Sequence, residues 1–325
     1  MTVRRAAAPA KVNLTLAVSE RRPDGYHDLS TILVRIGLAD RLTARPTGAS
    51  PTLADDADRL DAVGLPAGPV ADNLVLRAAA ALRRHLARPL PPLEFGLEKV
   101  VPVAAGLGGG SSDAAAAVGV AARAWGVTLD RASRLTLAET VGSDVPFFAL
   151  GAAAVWATGR GERLAALPAP AGAPACVLAV ARDGVATAAV FEAFDRLPPR
   201  RGAAWERAAA ATERLAGGLR AGLPAAELVG GAAELRDAND LWAALVALRP
   251  DIERLRASLE SRSGRPWLLS GSGPTLFALY ASLAEAREAV KELGSGPAGR
   301  RDGVRLIAAG LGATHRRPID TGGTA

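Results

Sequence analysis

The sequence predicts an α+β chain of two domains, and three observations carry that prediction. At 325 residues the chain is long for a single core, and two domains are the natural expectation. Stretches of apolar alternation, the mark of half-buried strands, are interleaved with stretches at helical spacing. Between Pro168 and Pro174 the run PAPAGAP has the composition of a linker. It sets domains at 1–170 and 171–313, followed by a tail, 314–325, expected to be disordered.

Residues 9–19, PAKVNLTLAVS, alternate cleanly. Val12, Leu14, Leu16 and Val18 share one face of a strand, and Lys11, Asn13 and Thr15 share the other. On spacing alone, Lys11 and Asn13 read as well as a solvated face as they do as a site. Arg21–His27, RRPDGYH, is turn chemistry, because Pro-Asp-Gly sets a tight reversal. It ends on Tyr26 and His27, in a chain holding 2 Tyr and 3 His. Ile32–Leu38 reads as a strand, and 45–71 as strands and loops. Asp72 is placed to N-cap a helix over Asn73–Ala87, where Leu74, Ala78, Leu82 and Leu86 fall at helical spacing.

Leu93, Phe95 and Leu97 alternate with Glu94, Gly96 and Glu98 as the next strand. Ser112–Trp125 is an Ala-rich helix, with Ser111 or Ser112 as cap, Asp113 in the first turn and Gly126 as the stop. Between strand and helix lie Gly106, Gly108, Gly109 and Gly110. Glycine tolerates positive φ and lets a ligand reach the backbone. A Gly-rich turn that feeds a helix N-terminus aims unpaired N–H groups and a partial positive charge at one point, which suits phosphate. The stretch has no G-x-x-x-x-G-K-[ST], since no Lys follows the glycines, and no G-x-G-x-x-G, since the last position is Ser111.

Asp130–Val141 reads as a helix closed by Gly142. In the following Gly142-Ser143-Asp144-Val145-Pro146, Asp144 is either a helix cap or a catalytic carboxylate. Val155–Leu167, with Gly159 and Gly161, is a hairpin. Beyond the linker, Cys176–Ala181 is a buried strand, and Phe191 belongs to the helix after Asp183–Thr187. Residues 197–235 are helical without evident chemistry. Leu268–Leu279 holds a strand, a Gly-Ser-Gly turn and a strand, 284–293 is a helix, and 304–309 is a last strand.

Composition narrows the function classes. The chain is 49% hydrophobic and 22% charged, the profile of a globular protein. Its single cysteine, Cys176, excludes a disulfide framework and a Cys-based zinc site. The net charge of +6 is spread over scattered Arg without the basic stripe and aromatic platforms of a nucleic-acid binder, and it suits small polyanions. No stretch is long and apolar enough to span a membrane, and the N-terminus lacks the apolar run of a signal peptide. A cytoplasmic chain, monomer or weak homodimer, is expected. Only Lys11, Lys99 and Lys291 among the 39 Lys and Arg are lysines, which hints that a compact ammonium is needed where they stand.

The run PVAAGLGGGSSDAA from Pro102 resembles the signature loop of the GHMP kinases. PAKVNL resembles that family's first motif, GSDVPF its G-x-D-V-P segment, DNL at Asp72 its segment beside the adenine, Asn239-Asp240-Leu241 its N-D-L helix start, and LLSGSGPT from Leu268 its third motif. The matches span Pro9 to about Leu279. RPDGYH resembles an element of those members that act on a cytidine diphosphate-linked methylerythritol. The resemblance implies an N-terminal mixed α/β nucleotide-binding domain, a C-terminal ferredoxin-like α/β sandwich, and transfer of the γ-phosphoryl of ATP to an alcohol, in isoprenoid synthesis. It implies Asp144 as catalytic base and Lys11 as its partner. It places Pro102, Val103, Ala104, Ala105, Gly106, Leu107, Gly108, Gly109, Gly110, Ser111, Ser112, Asn73, Leu74 and Lys99 at ATP. It places Asn13, Tyr26, His27, Thr187 and Phe191 at the acceptor, with Tyr26 and Phe191 stacking on a base and His27 hydrogen-bonding its edge. Ala188 stands where the family often has Pro. Mg²⁺ is expected on the phosphates through Ser111 or Ser112, with no dedicated acidic ligand. The alternatives are another small-molecule kinase of this family, such as a homoserine kinase, and a non-catalytic nucleotide-binding module.

Overall fold

Two long strands, β1 (Arg4–Arg21) and β2 (His27–Pro46), pair antiparallel along their whole length and form the spine of the first half. The computed structural model describes residues 2–198, 203–294 and 303–312, so the expected tail lies outside the described residues. The free edge of β2 is shared. Its C-terminal half pairs with β4 (Leu93–Lys99), which β3 (Arg59–Gly64) joins in parallel, and its N-terminal half pairs with β5 (Ala154–Gly159), followed by β6 (Arg163–Leu167). Helices α1 (Leu74–Leu86), α2 (Gly109–Ala124) and α3 (Arg131–Val141) cover this sheet through Val75, Leu82, Ala117, Ala121 and Leu137 on Leu42, Leu93, Phe95 and Leu97. The short α4 (Val145–Leu150) packs Phe147 and Phe148 on Leu33 and Val155.

In the second half a four-stranded sheet has the order β10 (Arg305–Gly310), β7 (Ala175–Val180), β9 (Leu276–Tyr280), β8 (Leu268–Leu269), with every pairing antiparallel. Helices α5 (Thr187–Arg196), α6 (Ala203–Arg220), α7 (Ala225–Gly230), α8 (Ala232–Leu235), α9 (Trp242–Leu248) and α10 (Pro250–Ser263) come between β7 and β8, and α11 (Leu283–Gly294) comes between β9 and β10. That order and pairing is the split βαβ, ferredoxin-like arrangement. The linker at 168–174 carries the chain from one sheet to the other, yet one apolar cluster unites both: Val12, Ile32 and Val34 meet Cys176, Leu178 and Phe277, with Leu215 and Leu219 of α6.

Three details differ from expectation. The alternation in β1 does not persist, because the register slips between Asn13 and Thr15. One extra residue there reverses the faces. Lys11 and Asn13 remain together opposite Arg35 and Leu33, while Thr15 turns to the face of Ile32. Helix α1 is capped by Asn73, whose side chain accepts from the Val75 N–H at 3.0 Å, and not by Asp72; a 3-10 turn over Val70–Asp72 leaves Asn73 as the first extended residue. Helix α2 is capped by Gly108 in the left-handed region, and neither Ser111 nor Ser112 caps it. The glycines Gly109 and Gly110 thus form its first turn.

Candidate active site

The Gly-rich loop is held open from below. Lys99, at the end of β4, is buried and binds Asp40 at 2.5 Å and Asp113 at 2.8 Å. The other oxygen of Asp40 accepts the N–H groups of Val100 and Val101, which sets the turn into the loop. Burial drives the Asp113 carboxyl up to about 7, against the pull of Lys99 and with the push of Asp40. Lys99 lies beneath Gly109, where an added Cβ would come 3.0 Å from its ammonium nitrogen. The first amides of α2 have no acceptor in their own helix.

The loop is also held from the side by the second half. Ser270 donates to the Gly106 carbonyl at 2.9 Å, and Asn239 donates to the carbonyls of Leu269 and Gly271. The Val185 N–H donates to the Ala104 carbonyl at 3.0 Å, and the Thr187 hydroxyl meets that of Ser272 at 3.0 Å. The Gly-Ser-Gly turn and the segment before α5 therefore both rest on the loop.

At the mouth stand Lys11 and Asp144. The Lys11 ammonium donates to Asn13 Oδ1 at 2.7 Å and to the Gly106 carbonyl at 3.0 Å, and its nitrogen lies 3.7 Å from Asp144 Oδ2. Burial pushes the Lys11 pKa below its ordinary value, and the charge of Asp144 offsets part of that. Asp144 occupies the N-cap position of α4 but makes no capping bond, and its side chain is 44% exposed. The carboxylate is thus free to meet a ligand. Gly108 lets these parts close up: with φ at +68°, an added Cβ would sit 3.1 Å from both Lys11 Cγ and the Phe148 ring.

The structure thus brings together Lys11, Asn13, Asp144 and the loop from Pro102 to Ser112. Leu74 reaches its rim, 3.6 Å from where a Gly110 Cβ would be. Asn73 is occupied by its cap and by the Ala67 carbonyl. Tyr26, His27 and Phe191 gather around the turn between β1 and β2 and the start of α5. Tyr26 is 55% exposed, with the Arg160 guanidinium over its ring at 4.7 Å. His27 is buried against Phe191 and Phe194. Its Nδ1 meets the Ser19 carbonyl at 2.9 Å and its Nε2 lies 3.2 Å from Asp195. A hydrogen bond from this ring to a base, as expected from the sequence, therefore requires one of those partners to let go. Sequence reasoning missed Thr31, Asp40 and Ser270. Each is a buried polar residue on or beside a strand, and the missed signal was a polar side chain within an apolar run.

Among the described residues no group of three or more His, Cys, Asp or Glu is placed to hold a metal ion, and no helix is long and apolar enough to cross a membrane. The chain matches the GHMP kinases N terminal domain over residues 73–152 and the GHMP kinases C terminal domain over 222–297. It is 38% identical over 314 residues to the 4-diphosphocytidyl-2-C-methyl-D-erythritol kinase of Anaeromyxobacter dehalogenans, covering 95% of this chain and 91% of that one. It is 41% identical over 328 residues to the enzyme of the same name from Gluconacetobacter diazotrophicus, covering 97% and 96%. A crystal structure of a 4-(cytidine 5'-diphospho)-2C-methyl-D-erythritol kinase superposes with a TM-score of 0.69 at 32% identity, over 95% of this chain and all of that one. A homoserine kinase from Cytophaga hutchinsonii, at 20% identity and a TM-score of 0.65, shares the fold. With such identity over nearly its whole length and both halves matched, the chain belongs to the 4-diphosphocytidyl-2-C-methyl-D-erythritol kinases of the GHMP kinase family.

Proposed function

We propose that this chain transfers the γ-phosphoryl group of ATP to the 2-hydroxyl of 4-diphosphocytidyl-2-C-methyl-D-erythritol, in the non-mevalonate route to isoprenoids. The observation that carries the chemistry is the meeting of one ammonium and one uncapped carboxylate, Lys11 and Asp144, 3.7 Å apart beside a glycine-built helix N-terminus. The acceptor is a tertiary alcohol and a hindered nucleophile, so the site works by position and charge. Asp144 takes the proton of the attacking hydroxyl. Lys11 orients Asp144 and stabilises charge on the transferring group. The amides at the start of α2 hold the phosphates. The described residues offer Mg²⁺ no carboxylate cluster, but the Ser112 hydroxyl is buried at the start of α2 without a hydrogen-bond partner. That hydroxyl would be the chain's own contact to the ion, which would supply positive charge to offset that of the phosphates. Tyr26 offers the cytosine a stacking face, and Asn13 and Thr187 line the acceptor side. Nucleic acid and membrane play no part in this reading, which places the reaction in the cytoplasm.

The test is ADP release in a coupled assay with the cytidylylated methylerythritol, against homoserine and mevalonate. Turnover is expected with the first alone. Asp144→Asn is expected to lower kcat by about 10²–10⁴ while calorimetry shows ATP binding unchanged. Turnover of Asp144→Asn near that of the parent enzyme would remove this carboxylate from the mechanism.

A further inference from the structure

A chain of buried hydrogen bonds runs inward from Lys11. Its ammonium donates to Asn13 Oδ1 at 2.7 Å, Asn13 Nδ2 donates to Thr31 Oγ1 at 2.8 Å, and Thr31 Oγ1 donates to the Thr15 carbonyl at 2.5 Å. Lys11, Asn13, Thr15 and Thr31 are each at most 4% exposed, so water cannot substitute for any of these partners. The proton order follows from donor counting. A carbonyl oxygen has no proton, so the short contact to Thr15 commits the single hydroxyl proton of Thr31. Thr31 Oγ1 is left as an acceptor only and must be met by the NH₂ end of the Asn13 amide. The oxygen end of that amide is thereby turned toward Lys11.

We infer that Thr31 is a positioning residue for the phosphoryl-transfer step: its hydroxyl sets the orientation of the Asn13 amide, and through it the place of the Lys11 ammonium. This inference rests on the kinase reading above. The irregularity in β1 between Asn13 and Thr15 makes the arrangement possible. Thr31 shares the face of Asn13 because it stands two residues from Leu33, the cross-strand partner of Asn13; the irregularity takes the Thr15 side chain off that face and leaves only the Thr15 carbonyl to meet the Thr31 hydroxyl. The Lys11 ammonium then has three fixed neighbours: the Asn13 oxygen, the Gly106 carbonyl and the Asp144 carboxylate. The other charged group on this face is Arg35, the cross-strand partner of Lys11, and it is turned away, donating to the Phe148 carbonyl at 2.6 Å.

With Thr31→Val the shape is kept and the acceptor is lost. The Asn13 NH₂ then faces a methyl group, and the amide is free to turn its donors toward a cation. Turning so would raise the free energy of the Lys11 ammonium and withdraw it from Asp144.

The experiment compares the parent enzyme, Thr31→Val, Thr31→Ser and Lys11→Ala by steady-state ADP release with the cytidylylated methylerythritol, across pH. Thr31→Val is expected to lose about tenfold in kcat, with KM for ATP and for the acceptor within about twofold of the parent. Its alkaline limb in kcat should lie at lower pH, because an ammonium that has lost an acceptor gives up its proton more readily. Thr31→Ser, which keeps the hydroxyl, is expected to restore both features. If Thr31→Val does not fold, Thr31→Ser and Thr31→Ala decide on the same two readouts. A parent-like kcat and pH profile in the variant without the hydroxyl would overturn the inference. So would a loss that Thr31→Ser shares, or one that appears only as a raised KM. Absence of turnover in the parent enzyme, or full turnover in Lys11→Ala, would instead overturn the kinase reading, so the two failures are distinct.

Discussion

At Gly106 the loop has no room for a side chain, since a Cβ there would collide with the Ser270 carbonyl, and the backbone stands at φ +73°. The carbonyl of the same residue receives both Lys11 and Ser270. One peptide unit thus ties a β1 side chain, the Gly-rich loop and the turn before β9 into a single geometry. Asp144 illustrates the opposite condition. It has the position of a cap and declines the role, which leaves its oxygens available for chemistry. Tyr26 and His27, adjacent in the chain, differ in exposure. Tyr26 presents an open ring that Arg160 backs on one side, while His27 is spent on Ser19 and Asp195. Tyr26→Ala should therefore raise KM for the cytidine-bearing substrate by about tenfold, the loss of one stacking contact, and leave KM for ATP unchanged. Equal rises in both constants would remove Tyr26 from the base.

Among elements, α2 owes its placement to charge as much as to packing. Its Ala face sits on the sheet, but its first turn is anchored by the pair that Asp113 and Asp40 make with Lys99. Two carboxylates around one buried ammonium cannot both ionise cheaply, and Asp113 bears the cost with a pKa pushed up to about 7, from an ordinary value of 3.8. Between those values the folded chain holds a proton that the unfolded chain has released. The unfolded state binds fewer protons, so this group's share of stability falls as pH rises through the window. Asp113→Asn removes that dependence. Relative to the parent protein, the variant should gain about 2–3 kcal/mol between about pH 5 and about pH 8 in urea unfolding. A constant difference across that range would show that Asp113 is ionised throughout. The Gly-rich turn and the Ala-rich helix were legible in residues 102–125, since glycine freedom and helix propensity are local properties. The Lys99 triad was not, because its members stand at positions 40, 99 and 113 and only the sheet brings them together.

Over the whole molecule the PAPAGAP segment marks where the chain changes sheets without dividing the core. Ile32 and Val34 of the first sheet share a cluster with Leu178 and Phe277 of the second. The two halves should accordingly unfold as one cooperative unit. Leu178→Ala, deleting a fully buried side chain, should cost about 2–5 kcal/mol and lower the midpoint of amides in β4 and β9 alike in hydrogen exchange. Separate midpoints would show two independent domains.

What the sequence determined by itself is what its short-range pattern encodes: the strands and most helices, the glycine turn ahead of an Ala-rich helix, the Asp before Val-Pro-Phe, and the Lys and Asn two apart on one strand. These follow from backbone propensity and side-chain periodicity, which operate over a few residues. Only the tertiary structure decided that Asp144 stands beside Lys11, that Ser270 and Asn239 brace the loop from the other half, and that a slipped register sends the Thr15 side chain away from the face that Asn13 and Thr31 share. Those outcomes depend on which strand edges pair and in what register. That choice is made by burying apolar faces across more than a hundred residues of intervening chain, and no local pattern records it.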